Sequence, residues 1–331
     1  MWYPFFLRKN LTFFTQKIPF LTTKYIITQK EKPMKKLLIV GSMNVDMVVK
    51  TDRIPHAGET ILGGVFNQFY GGKGANQAVA AKTLFPQTSF CAACGSDAIG
   101  GEYLKYLKSK KIDISLIKRD KKEHTGVALI TLDKTGENVI TVAAGANLTL
   151  KPADMKAINF SKFSHVAFQL ETDIKTVAEG LKLAKSAGCT TVLTPAPAQK
   201  LPKTMLKNID ILIPNQHEIL LIQEGFECPV KAAENLIKNG VKNVIITLGA
   251  KGSMLINKDG KKEFGVFKTK RVDTVGAGDC FTGSLMAGLR RFGDMDKAIV
   301  FATAAASLAI TKMGAQNFCT LDEVLKLAKI K

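Results

Sequence analysis

Short apolar runs rich in β-branched residues alternate with helix-length amphipathic segments along most of the chain. That alternation limits the fold more than any other feature. Residues 36–40 read as a buried strand ending at Gly41. Residues 89–93, 165–170, 190–193, 209–213 and 244–248 have the same character. Between them, 101–110, 174–187 and 230–238 carry helical periodicity. Strands joined by helices at this spacing predict an α/β fold: a three-layer α/β/α sandwich built on a mainly parallel sheet. Two stretches stand apart. Residues 126–132 and 138–143 flank Asp133-Lys134-Thr135-Gly136 and predict a β-hairpin. Residues 58–69 read as strand material broken at Gly63-Gly64.

In a parallel sheet, ligands sit beyond the carboxyl ends of the strands. The polar residues that follow the strands are Asn44 and Asp46, Glu171, Asn215 and Glu218, Thr247 and Gly249. Asp279 joins them from the stretch Asp273-Thr274-Val275-Gly276-Ala277-Gly278-Asp279. There two glycines precede a helical pattern at Phe281, Leu285, Leu289 and Phe292. Backbone amides at a helix start are unpaired and carry partial positive charge, a site for a phosphate or developing oxyanion. A carboxylate there suits proton removal from a hydroxyl beside the phosphate, or it simply caps the helix.

Three glycines recur in Tyr70-Gly71-Gly72-Lys73-Gly74-Ala75-Asn76-Gln77, again before a helix. This is a ligand loop or a hairpin turn with an N-cap. Asn44-x-Asp46 puts two polar side chains on one face for a polyol, or forms an Asx turn. Asn215 and Glu218 share a face at a helix start, to support Mg2+ through waters or to cap the helix. Thr247-Leu248-Gly249-Ala250-Lys251-Gly252 passes close to a nucleotide or makes an ordinary turn.

The 331 residues, 46% of them hydrophobic, suffice for one large core or two modest ones. A net charge of +19 is spread along the chain, with no groove-reading motif, and so favours anionic substrates over nucleic acid. Six scattered cysteines, including Cys91-x-x-Cys94, lack a second metal half-site and read as buried thiols in a reducing, cytoplasmic setting. The four histidines form no cluster. Residues 1–33 differ from the rest: aromatic, basic and interrupted by Pro4 and Pro19. They are too broken to span a membrane. They read as an N-terminal extension, with an over-extended start before Met34, a loose arm or a targeting segment all open. A main domain over 34–331 follows.

Taken together, these motifs resemble the PfkB-type family of sugar and nucleoside kinases, and within it the ribokinase branch. Gly71-Gly72-Lys73-Gly74-Ala75-Asn76 is similar to the family's N-terminal signature, and 273–279 to its C-terminal one. Asn44-x-Asp46, Glu171, Pro195-Ala196-Pro197-Ala198, Asn215-x-x-Glu218, Thr247-Leu248-Gly249 and Lys312-x-Gly314-Ala315 follow in the family's order. The resemblance implies a ribokinase-like sandwich with a small β-lid, from parts of 47–70 and 126–143, that also forms a homodimer contact. It implies ATP-dependent phosphorylation of D-ribose at O5, or of deoxyribose, another sugar or a nucleoside. Asn44, Asp46, Gly72, Lys73, Gly74, Ala75, Asn76 and Glu171 would hold the sugar. Asp279 would be the base, with Gly276, Ala277 and Gly278 as anion hole. Asn215, residues 247–252, Gly278, Asp279 and Thr303 would border ATP. Glu218 would support Mg2+ through water. A K+ ion would be held largely by backbone oxygens of Asp273, Val275, Ala309, Lys312, Gly314 and Phe318. Thr194 and Phe318 stand where the family usually has Asn and a small hydroxyl residue.

Overall fold

The computed structural model describes residues 34–330. In chain order the elements are β1 (Lys36–Val40), β2 (Asn44–Lys50), β3 (Val65–Gly71), α1 (Lys73–Leu84), β4 (Thr88–Gly95), α2 (Ala98–Ser109) and β5 (Asp113–Asp120). Then come β6 (Gly126–Leu132), β7 (Asn138–Ala143), α3 (Pro152–Lys156), β8 (Phe163–Phe168), α4 (Ile174–Ser186), β9 (Thr190–Leu193), α5 (Lys203–Leu206) and β10 (Ile211–Leu212). The chain continues through α6 (Gln216–Ile222), α7 (Pro229–Lys238), β11 (Asn243–Thr247), β12 (Ser253–Asn257), β13 (Gly260–Phe264), α8 (Ala277–Phe292), α9 (Met295–Ala309) and α10 (Leu321–Ala328).

Nine strands form one sheet in the order β13-β12-β11-β10-β9-β8-β1-β4-β5. Every pair from β5 to β11 is parallel; β12 and β13 add an antiparallel edge. The interior strand β1 explains the layering. Its alternate residues point to opposite faces. Leu37 and Ile39 belong to one core with α1, α8 and α9, whereas Leu38 and Val40 belong to another with α4 and α7. All four are buried, and each such side chain contributes about 1.5–3 kcal/mol. A near-continuous apolar run is what a strand covered on both faces requires.

A second sheet of four strands, β3-β2-β6-β7, carries the hairpin expected over 126–143. It is the small lid. Val65, Phe66, Leu129, Val139, Ile140 and Val142 on it stay exposed.

Some expectations change. Residues 58–64 carry no strand; only Val65–Gly71 pairs. The strand expected over 209–213 narrows to Ile211–Leu212. The edge strands β5 and β13 are too polar to show a buried-strand pattern. Helix α9 is Ala-rich, with residues such as Ile299, Phe301 and Ala302 fully buried, so it lacks a clear polar face. Cys228 is exposed, unlike the other five thiols. Cys91 and Cys94 lie three apart on β4, so they enter different cores and cannot act as a pair. No described helix is long and apolar enough to cross a membrane. The reading of residues 1–33 lies outside the described residues.

Candidate active site

Helix α8 opens at Gly276, whose φ of 77° is left-handed and which offers no capping side chain. A Cβ there would sit 2.7 Å from the Ala315 carbonyl oxygen, so glycine is required twice over. Gly278 has open space where a Cβ would be, which leaves its amide approachable. Ala277 N–H is partly spent, donating to the Thr274 carbonyl at 3.2 Å.

Asp279 follows in the first turn and is 8% exposed. Its Oδ2 accepts from Asn76 Nδ2 at 3.0 Å and its Oδ1 from Gln77 Nε2 at 3.1 Å. Burial pushes its pKa up; the Lys73 ammonium and these two hydrogen bonds pull back, while Glu171 adds to the rise. Asp279 is thus a carboxylate of raised basicity at a helix start. The capping alternative fails, because no backbone amide of α8 uses its side chain.

Near it stand residues of β2 and the start of α1; Lys73 lines the cleft described below, whereas Asn44, Asp46, Asn76 and Glu171 do not. Asn44 and Asp46 are strand residues, not an Asx turn, and alternate onto one face as expected. Asp46 has its pKa raised to about 6, first by burial, then by the charges of Glu171 and Asp279, with Lys73 opposing. Asn44 Oδ1 is taken by Asn147 Nδ2 at 2.7 Å, and Asn147 Oδ1 also accepts from Met43 N at 2.9 Å. The glycine loop is tight for structural reasons too: a Cβ on Gly74 would lie 2.6 Å from Ser42 N. Gly72, the N-cap of α1, has no capping side chain. Glu171 takes that place from beyond β8, accepting from Lys73 N at 2.9 Å and from the Ser42 hydroxyl. Lys73 is half-buried, and desolvation lowers its pKa, but Asp279, Glu171, Glu218 and Asp46 together hold it above the ordinary lysine range. It stays an ammonium.

A cleft of about 210 Å³ joins Lys73, Thr194, Thr274 and 276–279 to Asn215, Glu218 and Thr247. Strand ends of β10 and β11 supply the second group and that of β9 supplies Thr194, as the parallel sheet demands. Asn215 and Glu218 do form a capping box: Glu218 Oε2 accepts from Asn215 N at 2.8 Å, and Asn215 Oδ1 accepts from Glu218 N at 2.8 Å. They nonetheless line the cleft, and the cap uses Glu218 Oε2. Residues 248–252 close as a turn through Leu248 N to Gly252 O at 2.7 Å and do not line it. Thr303 lies buried in α9, its hydroxyl donating to Ile299 O at 2.8 Å, also away from the cleft.

Asp273 ties together the two loops expected to hold a monovalent cation. Its Oδ1 accepts from Val275 N and its Oδ2 from Gly314 N, both at 2.9 Å. A carboxylate among carbonyl oxygens is a hard, all-oxygen donor set, which fits K+ in kind. Phe318, by contrast, packs its ring against the core, and Ala309 O already accepts from Lys312 N at 3.2 Å. Among the described residues no three His, Cys, Asp or Glu side chains converge to hold a metal.

Three buried amides escaped the sequence reading as site residues: Gln77, Gln169 and Gln316. Gln77 closes the Gly-rich motif and Gln316 follows Gly314-Ala315, but a glutamine in a motif carries no chemical signature until its partners are known.

Residues 34–323 match the family described as pfkB family carbohydrate kinase. The chain belongs to that family. This pfkB kinase is 37% identical over 300 residues to a ribokinase of Staphylococcus aureus, covering 87% of this chain and 98% of that protein. It is 38% identical over 303 residues to a bifunctional ribokinase/ribose-5-phosphate isomerase A of Fructilactobacillus sanfranciscensis, covering 88% of this chain but only 56% of that longer protein. The structure of Arabidopsis thaliana ribokinase complexed with ribose and ATP superposes with a TM-score of 0.82 at 31% identity, covering 90% of this chain and 99% of that one. As in its pfkB relatives, the work of the fold is phosphoryl transfer to a carbohydrate, and the two sheets are the family's sandwich and lid.

Proposed function

We propose that this kinase transfers the γ-phosphoryl group of ATP to O5 of D-ribose, giving D-ribose 5-phosphate and ADP. One observation carries the reading: the buried Asp279 carboxylate stands at the uncapped start of α8, in one cleft with Lys73, Asn215, Glu218 and Thr247. The likeness to ribokinases over most of the chain supports ribose as the acceptor.

Phosphoryl transfer demands an in-line hydroxyl, neutralised charge and little water, and almost no covalent work from the protein. Asp46 can accept two sugar hydroxyls through its two oxygens. Asn44, Glu171, Asn76, Lys73 and the backbone at Gly72, Gly74 and Ala75 complete the sugar cradle. The 5-hydroxyl then points at Asp279, which takes its proton; the raised pKa makes the carboxylate a better acceptor. The amides at Gly276, Ala277 and Gly278 and the α8 dipole face the charge that develops on the equatorial oxygens. Lys73 adds positive charge beside them. Mg2+, supported through water by Glu218 and Asn215, would neutralise the phosphates when bound. K+ between the 273–275 and 309–318 loops would stiffen the anion hole from behind. The β-lid closes over the sugar and excludes water. Its exposed apolar residues support a homodimer through the lid. Six unpaired thiols, five of them buried, suit a cytoplasmic enzyme.

The test is sugar-dependent ADP release over a panel of D-ribose, deoxyribose, ketohexoses and nucleosides, with and without K+. D-Ribose is expected to give the highest kcat/KM. Asp279→Asn should keep ribose binding and lose about 10^2- to 10^4-fold in kcat. Near-native turnover in that variant would remove the base from the mechanism, and a clear preference for another acceptor would replace ribose.

A further inference from the structure

The hydrogen bonds around Asp279 continue outward in a pattern with one sense of direction. An ionised carboxylate can only accept. Asn76 and Gln77 therefore turn their NH2 groups to it and their carbonyl oxygens away. Each of those oxygens meets a second amide. Gln77 Oε1 accepts from Gln169 Nε2 at 2.6 Å, and Asn76 Oδ1 accepts from Gln316 Nε2 at 2.8 Å. Gln169 follows β8; Gln316 lies in the loop between α9 and α10 that also carries Gly314. The second amide hydrogens of Gln77 and Gln316 are used as well. Gln77 Nε2 reaches Thr194 Oγ1 at 3.3 Å, and Gln316 Nε2 reaches Tyr103 Oη at 3.0 Å.

All four amide side chains are buried, Gln77 and Gln169 at 0% and 1% exposure. Yet, among the described residues, Gln169 Oε1 and Gln316 Oε1 have no hydrogen-bond partner. Buried orphan acceptors are uncommon and costly. The pattern accounts for both. Turning either glutamine over would set its oxygen against the oxygen of Gln77 or Asn76, and would free that inner amide to rotate its own oxygen toward Asp279. The two unpaired carbonyls are the consequence of keeping both chains of amide N–H bonds directed inward, toward one carboxylate.

We propose that Gln169 and Gln316 are positioning residues: they lock the Gln77 and Asn76 amides with N–H toward Asp279, so the carboxylate meets the sugar hydroxyl in one pose. The proposal rests on Asp279 as the base. Gln316 extends it to the loop expected at the cation site, so that loop and the base share a rigid connection.

The experiment measures kcat and KM with D-ribose and ATP for Gln169→Met, Gln316→Met, Gln77→Met and the Gln77→Met/Gln169→Met double variant, with Asp279→Asn beside them. Methionine keeps the volume and removes the donor. Gln169→Met is expected to lower kcat about tenfold or more, the worth of an oriented bond to a charged group, with ribose KM within about twofold. Gln316→Met should lower kcat and also raise ribose KM, because Asn76 faces the sugar. The double variant should be no slower than Gln77→Met alone, since Gln169 acts only through Gln77. Thermal melting identifies any variant that fails to fold; if Gln169→Met does not, Gln169→Asn, which keeps an amide but shortens its reach to Gln77, replaces it with the same expected loss in kcat. Full kcat in the folded glutamine variants, with Asp279→Asn inactive, overturns this proposal and leaves the base intact. A multiplied loss in the double variant also overturns it. An active Asp279→Asn instead removes the base on which it rests.

Discussion

Asp46 sits where burial and neighbouring charge oppose its ionisation. Its pKa of about 6 lies well above that of an exposed aspartate, because burial and the neighbouring Glu171 and Asp279 charges oppose ionisation. The linkage has a definite sign. A raised folded pKa favours the protonated form in the native state, so its contribution to stability is full below about pH 4 and is lost as pH rises through about 6. Asp46→Asn should therefore raise the melting temperature at pH 7.5, with the gain fading as pH falls toward 4. The same substitution should raise ribose KM at pH 7.5. In the native enzyme, KM should climb as pH drops below about 6 and Asp46 loses its charge. A pH series of melting curves and initial rates checks both. A ribose KM that is flat from pH 7.5 to 5 would count against Asp46 as a sugar ligand. The residue types at this site were legible: Asp46, Asn76, Lys73 and Asp279 sit in motifs whose spacing marks them. The amides that orient them were not, because glutamine acquires a role only from neighbours 92 to 240 positions away in sequence.

At the scale of elements, the site depends on how closely α1 approaches α8. Gly283 makes that approach possible: a Cβ there would lie 2.4 Å from the Gln77 carbonyl oxygen and 2.8 Å from Ala80 Cβ. Asn76 and Gln77 ride on α1 and Asp279 on α8, so the separation of the two helices sets the reach of both amides. Gly283→Ala should push the helices apart and cost about 1–3 kcal/mol of stability, the usual range for overpacking. It should also lower kcat, since the bonds to Asp279 lengthen together. Chemical denaturation and steady-state rates measure the two effects, and unchanged stability would show that the contact yields without strain. Strand β1 and helix α8 could be read from sequence because their patterns are strong and uninterrupted. Strands β5 and β13 could not: at a sheet edge, polar residues meet water and no apolar period survives.

At the scale of the whole molecule, the lid leaves Phe66, Val139, Ile140 and Val142 between 51% and 58% exposed. A dimer that pairs two lids would cover them. Sedimentation should find the native protein dimeric, and Ile140→Lys with Val142→Lys should shift it toward monomer and raise ribose KM as the lid loosens. A native monomer at micromolar concentration would rule out the lid pairing. The sequence alone determined the alternation of strands and helices, the two glycine-led helix starts and the family, because periodicity and motif spacing are local properties of a chain. Only the tertiary structure decided that Glu171 caps α1, that 248–252 is a turn apart from the cleft, and that two chains of amides lead to Asp279. Each of these is a matter of distance across the fold, set by how the elements pack on the sheet, and no local pattern encodes it.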